Sequence, residues 1–485
     1  MKPALLALLI GTAFAAEPAT VDNFTGRPRV IVLSDIGNEP DDQMSVVRFL
    51  LYGNQFDVEA LVATTSTWQK QAVRPDIMHS VIQAYGRVRD NLLKHGSGWL
   101  PAEELDAKVS SGQPGYGLAS TGPNQMSEGA NAIIRAADRV DPRPVWITIW
   151  GGANTLAQAL LHVRNTRPKD VDKLVEKLRV YSISDQDDAG PWIRREFPGL
   201  FYIVQPSGPN SGEYYYATWT GISGDVYYRN CSGANASVVT NEWLDVNIRS
   251  KGPLGKAYPK FKFIMEGDTP SFLGLIDNGL NTYRRPDWGG WGGRYIHRQP
   301  YGETRPIWTQ GGDTFSRVTS QDTIGSHVSD QATIWRWRDA FQNDFAARMD
   351  WTINDYAKAN HNPVLIVNGQ SGTAPILIEA VVGKPVTVDA GPSNDPDAGQ
   401  TLRFKWFHYE EAGGTGTNLS GVTIAGADTP KAVITPTAVC RPQWLPGRSR
   451  CSGTGAAHII LAVTDSGSPP LTSYRRVILT VRPGT

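Results

Sequence analysis

Val30-Ile31-Val32-Leu33-Ser34-Asp35-Ile36-Gly37-Asn38-Glu39-Pro40-Asp41-Asp42-Gln43-Met44 is the stretch whose reading decides the fold. It begins as a short β-branched run, the pattern of a buried strand. It breaks at Gly37-Asn38 and restarts after Pro40 as a helix, with Met44, Val46, Val47, Leu50 and Leu51 on one helical spacing. Asp35, Glu39, Asp41 and Asp42 therefore crowd a single strand-to-helix turn. In an open α/β sheet such a turn lies at the carboxyl end of a strand, where ligands bind. Two readings of the acids stand side by side. Asp41 and Asp42 suit the first turn of a helix, where they favour the macrodipole behind a leading Pro. Crowded carboxylates also suit a hard cation such as Ca²⁺. Asp35 at the strand end and Glu39 in the turn favour the cation.

The stretch resembles the N-terminal signature of nucleoside hydrolases, a strand followed by Asp-x-Asp-Pro-Gly-x-Asp-Asp. The whole chain resembles secreted nucleoside-hydrolase-like proteins described as cellulose-binding, which join such a domain to a C-terminal β-domain. The resemblance implies hydrolysis of an N- or O-glycosidic bond, with Asp41 activating a Ca²⁺-bound water and Asp42 and Asp35 holding the ion. The signature's second acid falls on Gly37, and Glu39 is the candidate to replace it. A non-catalytic carbohydrate binder on the same scaffold is the alternative that this departure leaves open.

Outward from the signature, strands and helices alternate to about Gly372, the pattern of a mostly parallel sheet flanked by helices. Val58 to Thr64 reads as a second strand, and Asp76 to Leu93 as a helix. Ser127 is placed to cap the next helix. Val145 to Trp150 is a strand running into Gly151-Gly152-Ala153-Asn154-Thr155. That turn resembles the Gly-Gly-Leu-Thr-Asn turn of nucleoside hydrolases, which makes Asn154 a candidate metal ligand. Leu178 to Ile183 is a strand followed by acids, of which Asp185 stands nearest its end and is a candidate for sugar hydroxyls. Glu266 and Asp268 follow another apolar run and are candidate substrate or metal ligands. Trp288 and Trp291, on a Gly-rich loop, read either as a sugar platform or as clamps of a structural loop. The His-Asp pair that supplies the last metal ligand in nucleoside hydrolases has its nearest match in His327-Val328-Ser329-Asp330. It makes Asp330 a candidate ligand and His327 a candidate leaving-group acid. Arg336 and Arg338 read as ion-pair partners.

Helical periodicity disappears at about Thr373, and short alternating strands punctuated by Pro, Gly and Asp take over. Asp389 to Asp397 resembles the turn of polycystic-kidney-disease-type and cadherin-like modules, which implies an immunoglobulin-like sandwich with Trp406 between its sheets. The expected layout is residues 26–372 as the α/β domain and 373–485 as the sandwich. A chain of 485 residues is too long for one ordinary core.

Residues 1–16 read as a signal peptide, with Lys2, an apolar Leu5–Ile10 and Ala13-Phe14-Ala15, so the expected location is extracellular. Sequons at Asn23, Asn230, Asn235 and Asn418 fit a secreted glycoprotein. Cys440 and Cys451 flank a short excursion that a disulfide can close, which leaves Cys231 over. Lys+Arg and Asp+Glu both total 47, so no net field favours nucleic acid or an anionic membrane. The expected partner is a carbohydrate of cell-wall or plant origin, cellulose included.

Overall fold

A computed structural model describes residues 22, 24–122, 126–228, 234–318, 323–415, 418–440 and 453–484, without side chains at 315–327. The expected signal peptide, Asn23, Asn230, Cys231 and Cys451 lie outside the described residues. Cys440 is disulfide-bonded.

Strand β1 (Arg29–Ser34) is buried throughout its length, as its Val and Ile content requires. It pairs in parallel with β2 (Asp57–Ala63) on one side and β4 (Val145–Ile149) on the other. With β3 (Val109–Ser111), β5 (Leu178–Ser182), β6 (Phe201–Ile203), β7 (Tyr295–Arg298) and β8 (Ile307–Gln310), the eight-stranded order is β3-β2-β1-β4-β5-β6-β8-β7. Only the β7–β8 pair runs antiparallel. The connections reverse direction between β1 and β4. A crevice opens at that switch point, beyond the carboxyl ends of the two strands.

Helix Pro40–Leu51 follows β1 with Pro40 in its first turn, and Met44, Val46, Val47, Leu50 and Leu51 are all buried. The helix read over Asp76–Leu93 is two pieces, Pro75–Gly86 and Arg89–Leu92. The break falls at Gly86, where a Cβ would lie 2.9 Å from the Ala102 side chain. Ser127 accepts the amide of Ala130 and caps Glu128–Asp138. Arg336 and Arg338 are ion-pair partners, of Asp313 and Asp225 respectively.

Beyond residue 373 the chain forms two packed sheets. One carries Ile376–Val381, Thr472–Arg482, Gly455–Thr464 and Arg403–His408, and the other Val386–Asp389, Lys431–Ala438 and Gly421–Ala425. Trp406 is buried in the sandwich core and donates to the Thr429 carbonyl. The sandwich is not a loose appendage. Tyr409, Ala412, Ile460 and Tyr474 belong to the same apolar cluster as Phe341 and Trp337 of the first domain. Among the described residues, no helix is long and apolar enough to cross a membrane.

Candidate carboxylate site

At the switch point a cavity of about 230 Å³ is lined by Asp35, Glu39, Asp41, Asp42 and Asp268, with aromatic walls. Each carboxylate arrives by a different device. Asp35 follows directly on β1. Glu39 is the residue before Pro40, and Asp41 and Asp42 occupy the first helical turn. Ser34 donates its hydroxyl to Asp42 and so fixes that carboxylate under the turn. Asp268 comes from the distant segment before Pro270.

Ligand oxygens of Asp41, Asp42 and Asp268 lie within 4.8 Å of one another. Among the described residues, no Lys, Arg or His lines the cavity. Burial first, and then the charge of neighbouring acids, pushes Asp41 up to about 7 and Asp42 and Asp268 well above the ordinary carboxylate range. Burial raises Asp35 to about 6 against a hydrogen bond from Ser66, and raises Glu39 against the charge of Lys262. Oδ2 of Asp268 is buried with no hydrogen-bond partner among the described residues. Oxygen-only donors, like charges and an unpartnered buried oxygen fit a hard divalent cation.

Gly37 explains how the set survives the missing signature acid. Its φ is +109°, and a Cβ there would come within 3.1 Å of Arg74 and Ile77 side-chain atoms. An acid at 37 would be strained and aimed at those side chains. Asp268 completes the carboxylate trio instead.

Several expected site residues stand elsewhere. Asn154 is buried behind the strand ends, where its side chain donates to Thr65 and the Gly115 carbonyl, and it does not line the cavity. Asp185 holds a bidentate pair with Arg194 at 2.8 and 2.9 Å, and Gln186 lines the cavity in its place. Glu266 turns away because its backbone is left-handed (φ 54°), which sends its carboxylate to Arg48 and Tyr258. Trp288 and Trp291 are 7% and 2% exposed and pack at the junction with the sandwich, against His458 and Tyr474 respectively. They are clamps, not a platform. Asp330 follows the hairpin strand Thr323–Ser329 and lies outside the cavity, and the last position of the acid set goes to Asp268. The side chain of His327 lies outside the described residues.

Gly151 is the second signature of the turn after β4. A Cβ there would come 2.7 Å from Oδ1 of Asp35, so the close approach of β4's turn to β1's acid requires glycine.

Residues 29–295 match the family described as cellulose-binding Sde182, nucleoside hydrolase-like domain, and residues 385–481 match its counterpart, the Sde0182 C-terminal domain. A solved nucleoside hydrolase-related hypothetical protein from Saccharophagus degradans, associated with carbohydrate metabolism, is 35% identical over 94% of this chain and 100% of its own, with a TM-score of 0.76. The chain belongs to the Sde182 nucleoside-hydrolase-like, cellulose-binding family. The type III effector XopQ, solved with adenosine diphosphate ribose, aligns at 12% identity over 68% of this chain and 95% of its own, with a TM-score of 0.36. No curated protein matches the chain.

In this Sde182-family chain, the cavity walls are the part that sequence reasoning missed. Trp68, Tyr214, Tyr215, Trp219, Tyr228 and Phe263 surround the acids. Phe263 is 57% exposed and Trp68 44%, so both present ring surface at the mouth. They come from three separate stretches of chain, around Trp68, over 214–228 and around Phe263, and share no period. The run Tyr214-Tyr215-Tyr216 was the one legible hint.

Proposed function

We propose that the protein hydrolyses the glycosidic bond of a carbohydrate or glycoside seated in the carboxylate cavity. The observation that carries this reading is the trio Asp41, Asp42 and Asp268, gathered within 4.8 Å under aromatic walls with no cationic side chain among them. Asp42 and Asp268, with Asp35 beside them, are the residues that would hold Ca²⁺. When bound, the ion would polarise a water and lower its pKa. Asp41, which lines the cavity, would accept a proton from the attacking water as general base. Departure of the leaving group builds positive charge on the sugar ring. The carboxylate floor stabilises that charge electrostatically. The aromatic walls bind the apolar face of the ring and exclude water.

The test is a panel of neutral glycosides and plant polysaccharides run with calcium on wild type and Asp41→Asn. The variant is expected to lose about 10²- to 10⁴-fold in kcat while binding is kept, the usual weight of a general base. No turnover of any glycoside by wild type would overturn the hydrolase reading. The second reading, a carbohydrate-binding protein without catalysis, is favoured by the half-exposed Trp68 and Phe263 and by the cellulose-binding description of the family. It predicts that Asp41→Asn and wild type bind cellulose alike and that neither releases sugar.

A further inference from the structure

The outer face of one sandwich sheet is only part-covered by the first domain. Across the strands Arg403–His408, Gly455–Thr464 and Thr472–Arg482 its side chains fall into three rungs. Phe407, Ile460 and Arg476 form the first, Lys405, Ala462 and Tyr474 the second, and Arg403, Thr464 and Thr472 the third. The first domain sits on the first rung, where Arg476 donates to the carbonyls of Leu280, Trp288 and Gly289. Trp337 closes the seam against Phe407 and Tyr474, with ring centroids 6.1 and 5.5 Å apart. The other two rungs become the floor of a groove. Its opposite wall is the start of the helix Arg338–Trp351, and its volume is about 1020 Å³, against about 230 Å³ for the carboxylate cavity. Ligand clefts favour domain junctions, and pockets for drug-sized molecules run to roughly 300–1,000 Å³, so this groove has the size for a ligand of several rings.

The floor carries charge of one sign. Arg336 and Arg338 stand on the wall, but Asp313 and Asp225 neutralise them. Arg403 and Lys405 stand on the floor, both exposed, and neither has an ion-pair partner among the described residues. Two residues apart on one face of a strand, they are about 7 Å from each other at Cα, and their charges repel. An anionic ligand relieves that repulsion and takes charge-assisted hydrogen bonds from both.

An acidic polysaccharide meets this lining better than an acidic peptide. A peptide docks on a sheet by adding a strand to its edge, and here the Trp406 amide at that edge already donates to the Ala427 carbonyl at 2.7 Å. The rest of the lining suits hydroxyl groups. Thr464 and Thr472 stand beside the cations, and Asp339, the one lining acid among the described residues, stands on the opposite wall. Its carboxylate accepts hydroxyl protons and repels a ligand that offers carboxylates alone.

We propose that this junction groove binds a linear acidic polysaccharide, a chain of sugar rings bearing carboxylates that Arg403 and Lys405 hold. The site is separate from the carboxylate cavity, whose own acids would repel such a chain, and it stands whether or not the protein is a hydrolase.

The experiment is calorimetric titration of the full chain with hexagalacturonate, in chelator because uronates themselves bind calcium. Hexagalacturonate should bind, and more weakly as salt rises from about 0.05 to about 0.5 M, since exposed charges are screened. In Arg403→Glu/Lys405→Glu its affinity should fall about tenfold or more, the scale of hydrogen bonds to charged groups. The melting temperature should stay unchanged, because both side chains are exposed. Arg403→Gln/Lys405→Gln, a milder change expected to act in the same direction, serves if the charge reversal fails to fold. Neither cellohexaose nor poly-glutamate at equal concentration should displace the uronate. No binding by wild type, full affinity in the double variants, or displacement by either competitor would overturn the proposal. Asp41→Asn should bind hexagalacturonate as wild type does. Loss of binding there would place the uronate in the cavity and remove the groove, whereas a failed glycoside panel with uronate binding intact removes the hydrolase and keeps the groove.

Discussion

Arg48 and Glu266 form an ion pair at 2.7 Å with both side chains wholly buried, two residues upstream of Asp268. Tyr258 donates to the Glu266 carboxylate, and Arg48 donates to Gln342 and lies over the Phe345 ring at 3.9 Å. Glu266 also holds a left-handed backbone (φ 54°) that few non-glycine residues adopt. The pair anchors that turn, and the turn aims Asp268 into the cavity. Removing one partner strands the other as a buried charge. Glu266→Gln should therefore cost about 3–5 kcal/mol by denaturant unfolding, and the double variant Arg48→Met/Glu266→Leu should recover much of it. Calcium affinity should fall in both, because Asp268 loses its aim. Glu266→Gln with unchanged stability would show that the pair anchors nothing.

Burial and mutual repulsion lift Asp35 to about 6 and Asp41 to about 7, from the ordinary value of 3.8. A folded pKa above the unfolded one contributes stability that is full below the unfolded value and is lost as pH rises through the folded one. Without calcium, these groups should make the protein more stable at about pH 5 than at about pH 7.5. If the cluster holds calcium as proposed, calcium should reverse that, since an ion bound to the ionised acids adds most where they are ionised. Scanning calorimetry at both pH values, with chelator and with calcium, reads the effect. The calcium-dependent gain should be larger at the higher pH and should shrink in Asp268→Asn. An equal gain at both pH values would remove calcium from this cluster.

What was legible in the sequence follows from what local pattern can encode. The β-branched run of β1, the restart at Pro40 and the apolar spacing after it placed Asp35, Asp41 and Asp42 at one strand end. Trp406 was legible because the strands around it alternate. Direction was not legible. Glu266 and Asp268 look alike in sequence, but a positive φ sends the first backward to Arg48. Asp185 was lost to Arg194, a partner visible only once the helix Ala189–Glu196 folds back over the strand end. Asp330, matched to the last position by resemblance across a longer spacer, follows a hairpin strand and does not line the cavity. The aromatic wall was invisible because Trp68, Tyr214 and Phe263 meet only in space.

Trp68 and Phe263 against Trp288 and Trp291 make a paired test of where carbohydrate stacks. The first two are half-exposed at the cavity mouth, and the second two are buried at the sandwich junction. Trp68→Ala and Phe263→Ala should each weaken binding to cello-oligosaccharides by about 1 kcal/mol or more, the scale of an aromatic contact beyond simple burial, with little effect on stability. Trp291→Ala should cost about 3–5 kcal/mol of stability as a large-to-small core change. Fluorescence titration and denaturant unfolding on the same proteins separate the two classes. Loss of binding in Trp291→Ala at unchanged stability would restore the platform reading of the Gly-rich loop.

Arg476 is wholly buried in the sandwich and donates to the carbonyls of Leu280, Trp288 and Gly289 in the first domain, at 2.9, 3.0 and 2.8 Å. Tyr409 donates to Asp313 across the same junction at 2.6 Å. Trp337 packs against Phe407, Tyr409 and Tyr474. An interface with a shared apolar core and buried cross-links couples the unfolding of its two sides. Calorimetry of the full chain should give one transition. Arg476→Met leaves three buried carbonyls without a donor and should cost several kcal/mol, at about 1–3 kcal/mol for each unmade bond. A fragment of residues 373–485 exposes the face carrying Tyr409, Ile460 and Tyr474, and should self-associate in sedimentation. If that fragment is instead monomeric and melts where the full chain does, the sandwich stands alone and the junction is a contact of convenience.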